Sequence, residues 1–126
     1  MTGKDRIILQ KISTYTFDVA HYIEGFSFGD FMADKKTVSA CAFTVSPTGE
    51  LANEISEDTQ NKHDYIPWQS IRGMRNKIVH DYENIDLAVL WGTITKSLPE
   101  LNKQINTVLY NEVGEINILN DNRDEK

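Results

Sequence analysis

The chain has 126 residues, 40% apolar and 25% charged, with a formal net charge of −6. That length suits one domain whose core needs neither a disulfide nor a metal, and the composition excludes both a disordered chain and a membrane protein. The acidic balance argues against a protein that coats nucleic acid without selectivity. Cys41 is the single cysteine, so no intramolecular disulfide can form, and a reducing, cytoplasmic setting is expected. No apolar run approaches the length of a membrane span, and residues 1–6 lack a signal-peptide core.

Every well-patterned segment reads as helix. In the first, Ile8, Ile12, Tyr15, Val19 and Tyr22 recur at steps of three and four; Thr2 with Asp5 forms a capping pair, and Gly25 ends the segment. Phe26, Phe28 and Phe31 follow in a short link, where their rings can plug one end of a bundle. A second segment over 34–56 carries Val38, Cys41, Val45, Ala52 and Ile55 on its apolar face. Pro47 predicts a kink or break near Ser46, because an interior proline loses a hydrogen bond and clashes with the preceding turn. The polar stretch 57–65 reads as loop.

Pro67 fits the first turn of a third helix, with Trp68, Ile71, Met74 and Ile78 as its stripe. A fourth starts near Asp86 and carries Leu87, Leu90, Trp91, Ile94, Leu98, Leu101, Ile105 and Val108. Its register continues across Pro99, which predicts one kinked helix. After Leu109 the pattern decays. The expected organisation is a bundle over 1–110 and a loosely ordered acidic tail over 111–126. With no repeat and no strand alternation, the fold class is all-α, an antiparallel bundle of four to five helices.

The run Met74–Tyr82 concentrates the chemistry. From Trp68 to His80 the chain carries Arg72, Arg75 and Lys77 with no acid. Arg75 offers a planar fork of donors to a phosphate, and His80 can exchange a proton near neutral pH. Read as one helix, the run sets Arg75 and Tyr82, seven apart, on nearly one face and His80 well round from them. A second copy of the helix would bring both arginines and both histidines to one cleft. Cleavage by the ribose 2′-OH needs a base and an acid, and two histidines can divide those roles while Arg75 stabilises charge on the phosphate. Asn76 can donate to a phosphate oxygen or hold His80.

Taken singly, each residue has a blander use: Arg75 in an ion pair, His80 as a surface histidine, Tyr82 as an aromatic at the bundle edge. His21, His63 and His80 show no metal-ligand spacing, no Walker-type loop is present, and Cys41 belongs to an apolar stripe. Neither a metal nor a cofactor is therefore expected.

Arg75-x4-His80-x-Tyr82, with Asn76 after the arginine, resembles the signature of the HEPN superfamily, and within it the HepT-like branch. Ile66-Pro67-Trp68, Gly73-Met74-Arg75-Asn76 and Leu98-Pro99-Glu100-Leu101 are similar to that branch, as are Phe28-Gly29-Asp30-Phe31 and Gly49-Glu50, so the resemblance covers roughly residues 4–108. The chain departs from it at Ser46-Pro47.

The resemblance implies a HEPN-like bundle that forms a homodimer with the active cleft between subunits, with higher assembly left open. It implies a metal-independent endoribonuclease acting on RNA, the toxin of a toxin–antitoxin pair. Its partner would be an MntA-like minimal nucleotidyltransferase that transfers AMP to Tyr82. On the same resemblance Arg75 and His80 are catalytic, Asn76 supports them, and Tyr82 is the modification site. The alternative is a non-catalytic helical dimer that binds a nucleotide or a nucleotidyltransferase.

Overall fold

Helix α1 spans Gly3–Tyr22 and begins as its capping pair predicts, with Thr2 Oγ1 accepting the Asp5 N–H at 2.9 Å. Ile8, Ile12 and Val19 are buried along it. Gly25 then turns the chain at φ +80°, a conformation glycine adopts at no steric cost. The computed structural model describes the backbone of residues 1–81 and 84–124, and the side chains of residues 1–80 and 84–112.

The aromatic link contains a single helical turn, α2 (Phe28–Met32), started by a reciprocal Ser27–Asp30 capping box. Phe31 is fully buried, and the rings of Phe28 and Phe31 lie 5.9 and 5.1 Å from that of Trp91. The expected plug therefore forms, closed on the helix that carries Trp91.

Helix α3 (Lys35–Asn53) corrects the expectation at Pro47: the helix runs through it unbroken. Packing outweighs the lost hydrogen bond. Val45, Thr48, Gly49 and Ala52 are all buried, and a Cβ on Gly49 would stand only 3.0 Å from the Ile71 carbonyl oxygen. Burial on either side of Pro47, with the close contact at Gly49, holds the helical path.

The stretch 57–65, expected as loop, contains α4 (Glu57–Lys62). It has no apolar stripe, so periodicity could not reveal it; its start is fixed by hydrogen bonds. The buried Asp5 carboxylate accepts from the Ser56 N–H at 2.9 Å, Ser56 Oγ at 2.5 Å and Thr59 Oγ1 at 2.6 Å. Burial alone would raise the Asp5 pKa. The Ser56 and Thr59 hydrogen bonds outweigh burial and hold it at about 2. This ties the first turn of α1 to the first turn of α4.

Helix α5 (Trp68–Ile78) buries Trp68, Ile71, Met74 and Ile78. A small antiparallel hairpin follows, β1 (Val79–Asp81) with β2 (Asn84–Ile85), in which Val79 faces Ile85. No strand was expected here, and Tyr82 lies outside the described residues. Then come α6 (Leu87–Gly92), a π-helical turn (Thr93–Ser97) and α7 (Leu98–Asp124). The π turn is how one helical rod absorbs Pro99. The Leu98 N–H reaches back to the Thr93 carbonyl, an i to i−5 bond, where the proline ring would crowd an ordinary turn.

The result is the expected all-α fold. Helix α1 packs between α3 and α7, and α3 packs between α1 and α5. Cys41, Val45, Leu90 and Ile105 are fully buried in the core these helices share. Among the described residues no helix is long and apolar enough to cross a membrane.

Candidate active site

The site grows out of how α5 ends. Its buried stripe leaves Arg72, Arg75, Asn76 and Lys77 exposed. At its start the Trp68 Nε1–H donates to the His63 carbonyl at 3.1 Å, which anchors the helix. At its end Val79 turns extended (φ −105°, ψ 105°), and the Ile78 carbonyl accepts the Asp86 N–H at 2.8 Å. Two successive β-branched residues, Ile78 and Val79, favour this switch from helix to strand.

The structure therefore corrects the single-helix reading of the motif. Arg75 lies in the last turn of α5, whereas His80 lies in β1, beyond the helix. The helical period used to align Arg75 with Tyr82 does not extend past Ile78. Arg75, Asn76 and His80 are all exposed around the junction of helix and hairpin. Among the described residues no hydrogen bond joins any of the three to another, and the Arg75 guanidinium has no hydrogen-bond or ion-pair partner. Arg72, by contrast, donates to Gln60 Oε1 at 3.0 Å.

Part of this charge has a structural use: Arg75 and Lys77 complement the negative end of the α5 dipole. That use leaves their head groups open to an anion from solvent.

His80 has a neighbour that sequence reading used only as a helix start. Asp86 Oδ2 stands 3.8 Å from His80 Nε2, while Oδ1 accepts the Val89 N–H at 3.0 Å and caps α6. With its own N–H bonded to Ile78, Asp86 is held on both sides of its backbone. The signal available was its double position, six residues after the histidine and directly before an apolar helix. His80 itself is 57% exposed at its side chain, so substrate can approach it.

The other candidates fall away from this site. Cys41 is buried, and burial pushes its thiol up to about 11, which suits a core residue and not a nucleophile. His21 lies against Phe17, with ring centroids 4.8 Å apart. His63 Nδ1 stands 3.2 Å from the Tyr65 hydroxyl, and burial with Lys62 nearby lowers its pKa. Among the described residues no three His, Cys, Asp or Glu side chains gather to hold a metal ion.

The chain is similar to known proteins over most of its length. The sequence pattern of the family described as ribonuclease HepT-like matches residues 12–108. A protein of Caldanaerobacter subterraneus subsp. tengcongensis, whose name assigns it as an RNase, is 34% identical over 90 residues, 71% of this chain and 80% of its own. One from Thermococcus cleftensis, whose name assigns it as a ribonuclease HepT, is 35% identical over 94 residues, 69% of this chain and 86% of its own. A Methanocaldococcus jannaschii protein, again with a name that assigns it as an RNase, is 28% identical over 116 residues, 91% of this chain and 96% of its own. No solved structure gives a significant match.

Proposed function

This chain belongs to the HepT-like ribonuclease family, and from that premise we propose that it is a metal-independent endoribonuclease toxin of a toxin–antitoxin pair. The observation that carries this reading is the pair Arg75 and His80, both open to solvent around one helix–hairpin junction, with the guanidinium unpartnered among the described residues.

In this mechanism His80 moves a proton to or from a ribose oxygen, and Arg75 binds the phosphate as negative charge builds on it. Asp86, with Oδ2 3.8 Å from Nε2, would attract the imidazolium when His80 is protonated and leave Nδ1 for the substrate. Asn76, exposed next to Arg75, adds a neutral donor to a phosphate oxygen. One chain offers one His80, and cleavage needs both a base and an acid. A homodimer with the cleft between subunits supplies the second. Neutralisation would come from an MntA-like nucleotidyltransferase that transfers AMP from ATP to the Tyr82 hydroxyl with release of pyrophosphate, adding negative charge and bulk two residues from His80 in sequence.

The test is RNA cleavage by the purified chain in EDTA, beside Arg75→Ala and His80→Ala. Cleavage should persist in chelator and fall by roughly 10²-fold or more in each variant. Cleavage unchanged in both variants would overturn the assignment of these residues. Absence of cleavage by a chain shown by mass spectrometry to be unmodified at Tyr82 would favour the non-catalytic interaction module. One observation favours that second reading: the net charge of −6 opposes approach of an RNA backbone.

A further inference from the structure

A groove of about 310 Å³ runs along α5, opposite the π turn and the start of α7. That volume sits at the lower end of the roughly 300–1,000 Å³ typical of ligand pockets. Ile71, Met74, Leu98 and Leu101 contribute its apolar lining. Its polar lining comprises the hydroxyls of Ser70, Thr93 and Ser97 and three longer side chains. Lys77 comes from the C-terminal end of α5, two residues from Arg75 and three from His80. Glu100 and Gln104 come from α7, four apart and so on one helix face. Among the described residues Gln104 Oε1 is buried and has no hydrogen-bond partner, an acceptor without a donor.

We propose that this groove is a nucleotide subsite of the RNA substrate: it takes a guanine neighbouring the scissile phosphate, with Lys77 on a phosphate and the exposed Glu100 reading the base. The proposal rests on the ribonuclease reading and adds a sequence preference to it. Flat apolar walls bury the faces of a base, while hydrogen bonds to its Watson–Crick edge select it. The Glu100 carboxylate only accepts, so the base it favours presents donors, while the hydroxyls of Ser70, Thr93 and Ser97 can donate or accept and leave that preference to Glu100. Guanine alone among the four RNA bases offers two adjacent donors, N1–H and the N2 amino group, which match the two oxygens of one carboxylate. Lys77 then meets the phosphate as a point charge. An apolar helix from another protein would fill the groove but bring no donor to Glu100, and it would desolvate the Lys77 ammonium.

Binding of nucleoside 3′-monophosphates to the full-length chain tests this apart from cleavage, with the Met74 methyl NMR signal as reporter and that of exposed Met32 as control. Guanosine 3′-monophosphate should move the Met74 signal alone and bind roughly tenfold more tightly than the uridine form. Glu100→Gln should erase that preference, and Lys77→Ala should weaken all four nucleotides about equally. A Met74 signal unmoved by every nucleotide would overturn the proposal. So would a signal that moves only on dilution of the protein, which would give the groove to a second copy. Guanosine monophosphate binding by a chain that cleaves no RNA would support the subsite and place the failure in the ribonuclease reading. RNA cleavage by a chain whose groove binds no nucleotide would do the reverse.

Discussion

Asp86 shows how much one residue can do at a helix boundary. Its N–H closes the end of α5, its Oδ1 opens α6, and its Oδ2 stands 3.8 Å from the His80 imidazole. At that distance it would be a positioning residue, acting on substrate only through the histidine. Asp86→Asn separates the two uses, because asparagine caps a helix about as well as aspartate but carries no charge. We expect Asp86→Asn to lower kcat for RNA cleavage roughly tenfold, with KM and Tm nearly unchanged, and Asp86→Glu to recover part of the loss. Asp86→Ala should in addition cost about 1 kcal/mol of stability through the lost cap. Steady-state kinetics with a thermal melt decides the matter. A kcat unchanged in Asp86→Asn at equal Tm would reduce the residue to a cap.

Among the elements, α3 and α5 carry most of the lesson about what a sequence shows. The stripes Val38–Cys41–Val45–Ala52 and Trp68–Ile71–Met74–Ile78 were legible because burial repeats with the helix period, and each of those residues is buried. Three features were not legible, each for a physical reason. Pro47 reads locally as a breaker, but only tertiary packing decides whether a helix continues through it. Helix α4 has no apolar face, and its start depends on Asp5, 51 residues away from Ser56. The end of α5 depends on the Asp86 N–H, eight residues on, which takes the Ile78 carbonyl. Gly49, by contrast, stood out as part of the family pattern, and the structure explains it: α3 and α5 approach so closely that a methyl group there would meet the Ile71 carbonyl at 3.0 Å. Gly49→Ala gains helix propensity, yet the overpacking should win. We expect a net loss of about 1–2 kcal/mol in chemical denaturation, through a wider α3–α5 spacing. A stability equal to or above that of the parent chain would show that the two helices can give way at no cost.

At the scale of the whole molecule, the helix order puts α5 beyond α3, so the candidate site lies at the end of an outer element and not inside the bundle. A core site could assemble its acid and base from neighbouring helices of one chain. On the proposed two-histidine mechanism, an outer site with a single histidine would draw the second from another chain. The sequence signalled the kit, Arg75 and His80, through their spacing. The dimer cleft was an expectation from a second copy of the helix and from the resemblance, because chain-to-chain geometry leaves no periodic trace in one chain. The consequence can be measured by mixing. If each His80 of a dimer supplies a different proton-transfer step, a dimer with one wild-type chain and one His80→Ala chain has lost one of the two steps. Chains exchanged to random pairing in equal amounts would then retain about a quarter of the parent activity, because only wild-type pairs keep both roles. Chains acting independently would retain about half. Native mass spectrometry of the exchanged mixture verifies the pairing. A linear fall of activity with the mutant fraction, at confirmed random pairing, would return catalysis to the single chain and would require Asp86 or a residue beside it to serve as the second proton-transfer group.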